Sequence, residues 1–246
     1  MIDLTLIGIG TGSPGHLTRQ AIAAMLDSDL ILIPDKGEDK ADLAYLREAL
    51  CRQVLPSPPP LARFPMPRRD DAQGYLPGVR DWHDAIACSW LQVLESHRAS
   101  RPSLLIWGDP SLYDSSLRIA RHLSARMALN LRVIPGITAI QALCAAHAIP
   151  LNDLGQPVIV TTGRRLRDQG WPSGADRIVV LLDGECSFDR LDPLGVTIWW
   201  GAYLGMPQQI LHSGPLAQAG PEITRIRARA RAAHGWIMDS YLLARP

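Results

Sequence analysis

Chemistry in this chain has to be built at places where apolar runs stop abruptly at glycine and proline. Leu104-Leu105-Ile106-Trp107 ends at Gly108-Asp109-Pro110, with Tyr113, Asp114 and Ser115 close behind. Gly108 can take backbone angles closed to other residues, and Pro110 fixes its own φ while offering no N–H. A strand that ends in such a turn and leads into a helix opens at the carboxyl edge of a sheet, where α/β proteins bind ligands. Gly8 to Thr18 (GIGTGSPGHLT) and Val133 to Ala142 (VIPGITAIQA) have the same plan. Three Gly-bearing strand exits predict a single cleft.

Gly10, Gly12 and Gly15 also match the dinucleotide fingerprint G-x-G-x-x-G, with Asp35 at the end of the next strand where a ribose-binding acid would stand. Pro14 lies inside the match and removes one of the N–H donors that the fingerprint aims at pyrophosphate. An NAD(P)-dependent oxidoreductase is therefore the rival enzyme class.

The elements that position these turns alternate. Asp3 to Ile9 and Leu30 to Ile33 are strands, and Leu17 to Asp27 and Ala41 to Leu50 are amphipathic helices. This order predicts a mostly parallel sheet covered by helices. Arg52 to Gly78 interrupts it with Pro56, Pro58, Pro59, Pro60, Pro65, Pro67 and Pro77, and with Arg63, Arg68, Arg69, Asp70 and Asp71 among them. A connection this long reads as a substrate flap. Val79 to His97 is a helix with Trp82 and Trp90 on its core side, Ser115 to Met127 another, Leu129 to Ile134 a strand, and Thr138 to Ala148 an Ala-rich helix ending near His147. Ile149 to Asn152 marks a boundary, giving lobes 1–150 and 151–246. In the second lobe Val158 to Thr161, Arg177 to Leu182, Val196 to Trp200, Glu222 to Ile226 and Trp236 to Leu243 read as strands, with Pro207 to Leu211 and Arg164 to Gln169 helical. That pattern predicts a mixed α/β lobe facing the first across the cleft.

Composition excludes several classes. The chain has 246 residues, 47% hydrophobic, with a formal charge of +1, so nothing global calls for nucleic acid or a membrane surface. No apolar run approaches the roughly 20 residues needed to span a bilayer. No signal peptide is visible, and the chain reads as cytoplasmic. Cys51, Cys88, Cys144 and Cys186 form no C-x-x-C pair, so neither a zinc site nor a disulfide framework is expected, and no metal is assigned. Nearly every basic side chain is Arg, with Lys only at positions 36 and 40, which reflects composition or a need to grip carboxylates bidentately.

Taken in order, GIGTGSPGHLT, WGDPSLYDS at Trp107 to Ser115, VIPGITAIQAL at Val133 to Leu143 and the second-lobe strands resemble the tetrapyrrole methylases, which methylate corrin and sirohaem rings with S-adenosylmethionine. DKGEDKADL at Asp35 to Leu43, VTTGRRL at Val160 to Leu166, VVLLDGE at Val179 to Glu185, WWGAYLGMP at Trp199 to Pro207 and GWIMDSYLL at Gly235 to Leu243 are similar to one branch of that family. The resemblance implies two α/β lobes with S-adenosylmethionine folded in the cleft between them. It implies Gly108, Asp109, Pro110, Tyr113, Thr138 and Ala139 as cofactor-binding residues, with Leu182, Gly201 and Ala202 from the second lobe. Many relatives carry Met near position 182, where this chain has Leu181-Leu182.

The Gly-rich first turn, with Gly10, Gly12, Ser13 and Pro14, would then shape a substrate trough rather than hold a dinucleotide. The implied substrate is a polycarboxylate precorrin, methylated at C-1 with release of acetate. Arg63, Arg68 and Arg69 on the flap, and Arg164, Arg165 and Arg167 after a second-lobe strand, would clamp its carboxylates. Tyr113, Asp114, Asp183 and Glu185 are the candidates to activate water for deacetylation, and Asp109 would offset the sulfonium charge or only cap its own turn. Methylation at another ring position, and a tetrapyrrole carrier without turnover, are the remaining readings. The resemblance points to a homodimer, which the residues themselves do not settle.

Overall fold

The protein is described from a computed structural model, covering residues 1–35, 37, 41–70, 72 and 75–246. It divides into two compact units, Met1–Thr138 and Ala139–Pro246.

In the first unit, β1 (Ile2–Gly8), β2 (Leu30–Asp35), β3 (Leu61–Pro65), β4 (Pro102–Ile106) and β5 (Leu129–Ile134) form a sheet in the order β3-β2-β4-β1-β5. Every pairing in it is parallel. Successive strand residues face opposite sides, so one sequence feeds two cores. Leu4, Leu6, Leu30, Leu32, Phe64 and Leu104 point to one face. There they meet Trp90 of α3 (Tyr75–His97) and Ile119 and Leu123 of α4 (Ser116–Ser124). Ile7, Ile31, Ile33 and Leu105 point to the other, against Met25 of α1 (Arg19–Asp27) and Leu50 and Cys51 of α2 (Ala41–Val54). A sheet buried on both sides explains why its strands read as continuous apolar runs.

The segment expected to be a flap is instead part of this framework. α2 runs on to Val54, and β3 pairs with β2 from Ile31–Leu61 to Asp35–Pro65. Phe64 is buried against the Trp90 ring, 6.1 Å between centroids, and Trp82 Nε1 donates to the Pro67 carbonyl at 2.7 Å. Apolar anchoring of alternate β3 residues turned a proline-rich connection into an edge strand. Asp71 of that stretch, and Lys36 and Lys40 of the DKGEDKADL match, lie outside the described residues.

The second unit opens with α5 (Ala139–His147), which the sequence reading had put ahead of the boundary. His147 Nε2 is 3.0 Å from the Trp200 carbonyl, so the end of α5 is fastened to this unit and not merely solvated. β6 (Val158–Thr162), β7 (Arg177–Leu181), β8 (Thr197–Ala202), β9 (Ile210–Pro215) and β10 (Asp239–Ala244) form a mixed sheet in the order β6-β7-β10-β8-β9. β6 and β7 are parallel and the other pairs antiparallel. α6 (Gly163–Gln169) follows β6, capped by the Thr162 hydroxyl.

Two expectations fail here. Glu222 to Ile226 is helical, inside α7 (Leu216–His234), and Pro207 to Leu211 leads into β9. The alternating Arg225, Arg227, Arg229 and Arg231 imitate a strand's period of two. The residues actually buried are Leu216, Ala219, Gly220, Ile223, Arg227 and Ala230, a helical stripe.

Candidate functional site

The carboxyl edge of the first sheet is built from backbone. Gly8 ends β1, Gly108 follows β4 and Gly136 follows β5, and the three chains meet there without side chains. A Cβ on Gly8 would lie 2.6 Å from the Gly136 nitrogen and 2.7 Å from the Gly108 oxygen, and one on Gly136 would run into the same Gly108 carbonyl. The first and second turns are stitched by Gly108 N–H to the Gly10 carbonyl at 2.7 Å and Gly10 N–H to the Gly108 carbonyl at 3.3 Å. The three strand exits read from the sequence do converge within this unit.

Asp109 locks the convergence. Its Oδ1 accepts from the Ser111 amide at 2.7 Å and from the Ser111 hydroxyl, and its Oδ2 accepts from the Gly136 amide at 2.9 Å. Burial opposes ionisation, but the bonds from Ser111 and Gly136 outweigh it and hold the carboxyl below its usual range. Asp109 therefore fastens its own turn and the next one. Its negative charge is already shared among these donors.

Of the candidate bases, Asp183 is buried and accepts from the Glu185 and Ser187 amides, the Ser187 hydroxyl and the Tyr241 hydroxyl. Glu185 pairs with Arg167 at 2.9 Å. Asp114 Oδ1 takes the Ser116 amide at 2.6 Å, starting α4. Tyr113 stands 46% exposed in the left-handed region, at φ +49°. Leu182, at the exit of β7, shares that conformation at φ +54° and is 68% exposed. Non-glycine residues held there carry backbone strain that accumulates at ligand sites. Gly201 lies in β8 beside Leu143 and Leu204, with Ala202 buried next to it.

The proposed clamps are largely occupied. Arg63 bonds Glu48 at 2.8 Å, with Asp35 at 3.9 Å. Arg165 reaches Gln169, and Arg167 pairs with Asp168 and Glu185. Arg68 and Arg69 are exposed.

Sequence reasoning missed Arg47. It lies at i+3 from Ala44 and i−4 from Cys51, both fully buried, and is itself only 7% exposed. A cation on the apolar stripe of an amphipathic helix was the available signal.

The dinucleotide reading loses its geometry. Pro14–His16 is a 3-10 turn capped by the Ser13 hydroxyl, and α1 begins only at Arg19 under the Thr18 cap. The glycines therefore do not open the helix whose N-terminus the fingerprint needs.

The model of the tetrapyrrole (corrin/porphyrin) methylases matches residues 3–220. A precorrin-6A synthase [deacetylating] from Sinorhizobium sp is 45% identical over 99% of this chain and 95% of its own. A solved cobalamin synthesis related protein (CobF) from Corynebacterium diphtheriae is 35% identical, covers 99% of both chains and superposes with a TM-score of 0.84. A uroporphyrin-III C-methyltransferase from Thermus thermophilus, complexed with S-adenosyl homocysteine, shares the fold. Its TM-score is 0.60 at 16% identity, over 98% of this chain and 92% of its own. With its parallel and mixed sheets and its three converging strand exits, the chain belongs to the tetrapyrrole methylases.

Proposed function

We propose that this chain is a precorrin-6A synthase, transferring a methyl group from S-adenosylmethionine to C-1 of precorrin-5 with release of acetate. The observation that carries the reading is 45% identity to a precorrin-6A synthase along nearly the whole of both chains. Support comes from the close backbone approach at Gly8, Gly108 and Gly136, which gathers the exits of β1, β4 and β5 at the carboxyl edge of the sheet.

Bound S-adenosylmethionine supplies a methyl group on a sulfonium, a good leaving group for in-line attack by carbon. The chain's part is placement, and orienting two reactants removes roughly 7–11 kcal/mol of barrier without a protein nucleophile. The proposed cofactor contacts are Gly108, Asp109, Pro110, Tyr113, Thr138 and Ala139, with Leu182, Gly201 and Ala202. The first turn, with Gly10, Gly12, Ser13 and Pro14, is the proposed rim for the tetrapyrrole. Loss of the acetyl group as acetate adds a water across the carbon–carbon bond. Tyr113, 46% exposed just past the Gly108 turn, and Asp114 beside it are the proposed residues to activate that water.

The test is turnover of precorrin-5 with S-adenosylmethionine, followed by mass spectrometry of the product and assay of acetate. Methylation with stoichiometric acetate is expected. Methylation without acetate would move the reaction to another ring position. Binding of NADP but not S-adenosylhomocysteine in calorimetry would overturn the methylase reading, and ligand binding without turnover would favour a carrier.

A further inference from the structure

Two arginines are buried among the described residues, and they are treated differently. Arg227 is met by Asp239, with Nε 2.9 Å from the carboxylate. Among the described residues Arg47 joins no ion pair. Its Nε donates to the Leu105 carbonyl at 3.3 Å and its Nη1 to the Leu43 carbonyl at 2.9 Å, both neutral acceptors. Burial lowers its pKa to about 10, with the charge of Asp114 acting the other way, so it stays a cation at neutral pH.

A cation out of water with no carboxylate in contact is costly even with the charge of Asp114 acting on it, and a hydrophobic side chain of similar size would be cheaper in the same place. The guanidinium carbon lies 5.0 Å from the centre of the Trp107 ring. Trp107 Nε1 is itself buried with no hydrogen-bond partner among the described residues. A cation bonded only to carbonyls and an indole N–H without an acceptor thus lie together at the carboxyl end of β4, next to the Gly108 turn. What they lack in common is a negatively charged acceptor with more than one oxygen.

We infer that Arg47 and the Trp107 indole N–H form a carboxylate subsite that takes one acidic side chain of the tetrapyrrole. The inference rests on the proposed function for the identity of the ligand, and on the carbonyl-bonded cation and the unpartnered indole N–H for the site. A carboxylate supplies the missing charge to Arg47 and an acceptor to Trp107, and a guanidinium is suited to just this partner. The subsite also gives the buried arginine a purpose that the surface arginines do not share, since a contact made out of water discriminates far better than one at a solvated rim.

The experiment uses the full chain with Arg47→Met, Arg47→Lys and Trp107→Phe. The probes are uroporphyrin III, its octamethyl ester and S-adenosylhomocysteine, titrated by calorimetry alongside thermal unfolding. Arg47→Met is expected to weaken uroporphyrin III by about 10- to 100-fold, with Lys intermediate and Trp107→Phe several-fold weaker. The ester should bind parent and variants alike, S-adenosylhomocysteine should be unaffected, and the apoprotein of Arg47→Met should melt no lower than the parent. Unchanged uroporphyrin affinity in Arg47→Met, or no uroporphyrin binding by the parent, overturns the subsite. A fall in S-adenosylhomocysteine affinity instead overturns it too, by assigning the contact to the cofactor's own carboxylate. If Arg47→Met melts lower and uroporphyrin and ester weaken together, Arg47 is a strut between α2 and β4. Failure of the parent to turn over precorrin-5, with Arg47-dependent uroporphyrin binding intact, would sink the proposed function and leave the subsite standing.

Discussion

Asp109 is bonded to Gly136 across two strand exits, its Oδ2 taking the Gly136 amide at 2.9 Å while its Oδ1 is held by Ser111. One carboxylate thereby ties the exit of β4 to that of β5. Asp109→Asn keeps the shape but replaces one acceptor oxygen by a donor facing an N–H. A loss of about 1–3 kcal/mol in urea unfolding is expected, with weaker S-adenosylhomocysteine binding. Normal binding at reduced stability would limit Asp109 to the fold.

Gly136→Ala is expected to be severe, because the added Cβ meets the Gly108 carbonyl, which is backbone and cannot swing away. Destabilisation by about 2–4 kcal/mol follows, seen in the denaturation midpoint. Gly15→Ala is the control. There the nearest atom is the Ser13 hydroxyl at 3.5 Å and φ is ordinary, so a change within about 0.5 kcal/mol is expected. Had the glycines been a dinucleotide fingerprint, Gly15 would have been the intolerant position.

His83, buried in α3, gives stability a pH dependence. Burial lowers its pKa from 6.5, and His122 and Arg118 on α4 add to that, while Asp114 works the other way. The folded state then binds fewer protons than the unfolded one. The contribution is complete above about pH 6.5 and is lost as pH falls below it. His83→Phe should flatten the fall of the stability profile below about pH 6.5 in thermal melts. The carboxylates held low, Asp109 and Asp84 (the latter at about 2 beside Arg126 and His122), act only below about pH 4. A slope unchanged in His83→Phe would assign it elsewhere.

Arg63→Gln should leave tetrapyrrole KM nearly unaltered and cost about 0.5–1 kcal/mol, since the guanidinium is engaged with Glu48 and half in water. Steady-state kinetics beside urea unfolding separates this from a clamp, which would raise KM at constant stability.

The strand exits were readable from sequence because their signal is local: an apolar run, then Gly or Pro. Their convergence followed from parallel topology, which puts all carboxyl ends on one edge. The pairing of Arg63 with Glu48 was not readable, because which carboxylate an arginine meets is settled by tertiary contacts. β3 was hidden for a related reason. It is short, half-buried and set among prolines, so only pairing with β2 makes it a strand. In α7 the strand expected over Glu222 to Ile226 is overridden by a buried stripe spaced by three and four along the helix.

Since β3 is the outermost strand of its sheet, one flank of its backbone has no neighbouring strand among the described residues. Such a flank is a template on which another polypeptide can add itself, the first step of aggregation. Pro58, Pro59 and Pro60 stand just before β3, Pro65 closes it and Pro67 follows, none with an N–H to offer, and Arg63 puts a charge in its middle. The prolines that make this stretch look like a mobile cover are, in this position, residues that make edge-to-edge pairing with another copy unfavourable.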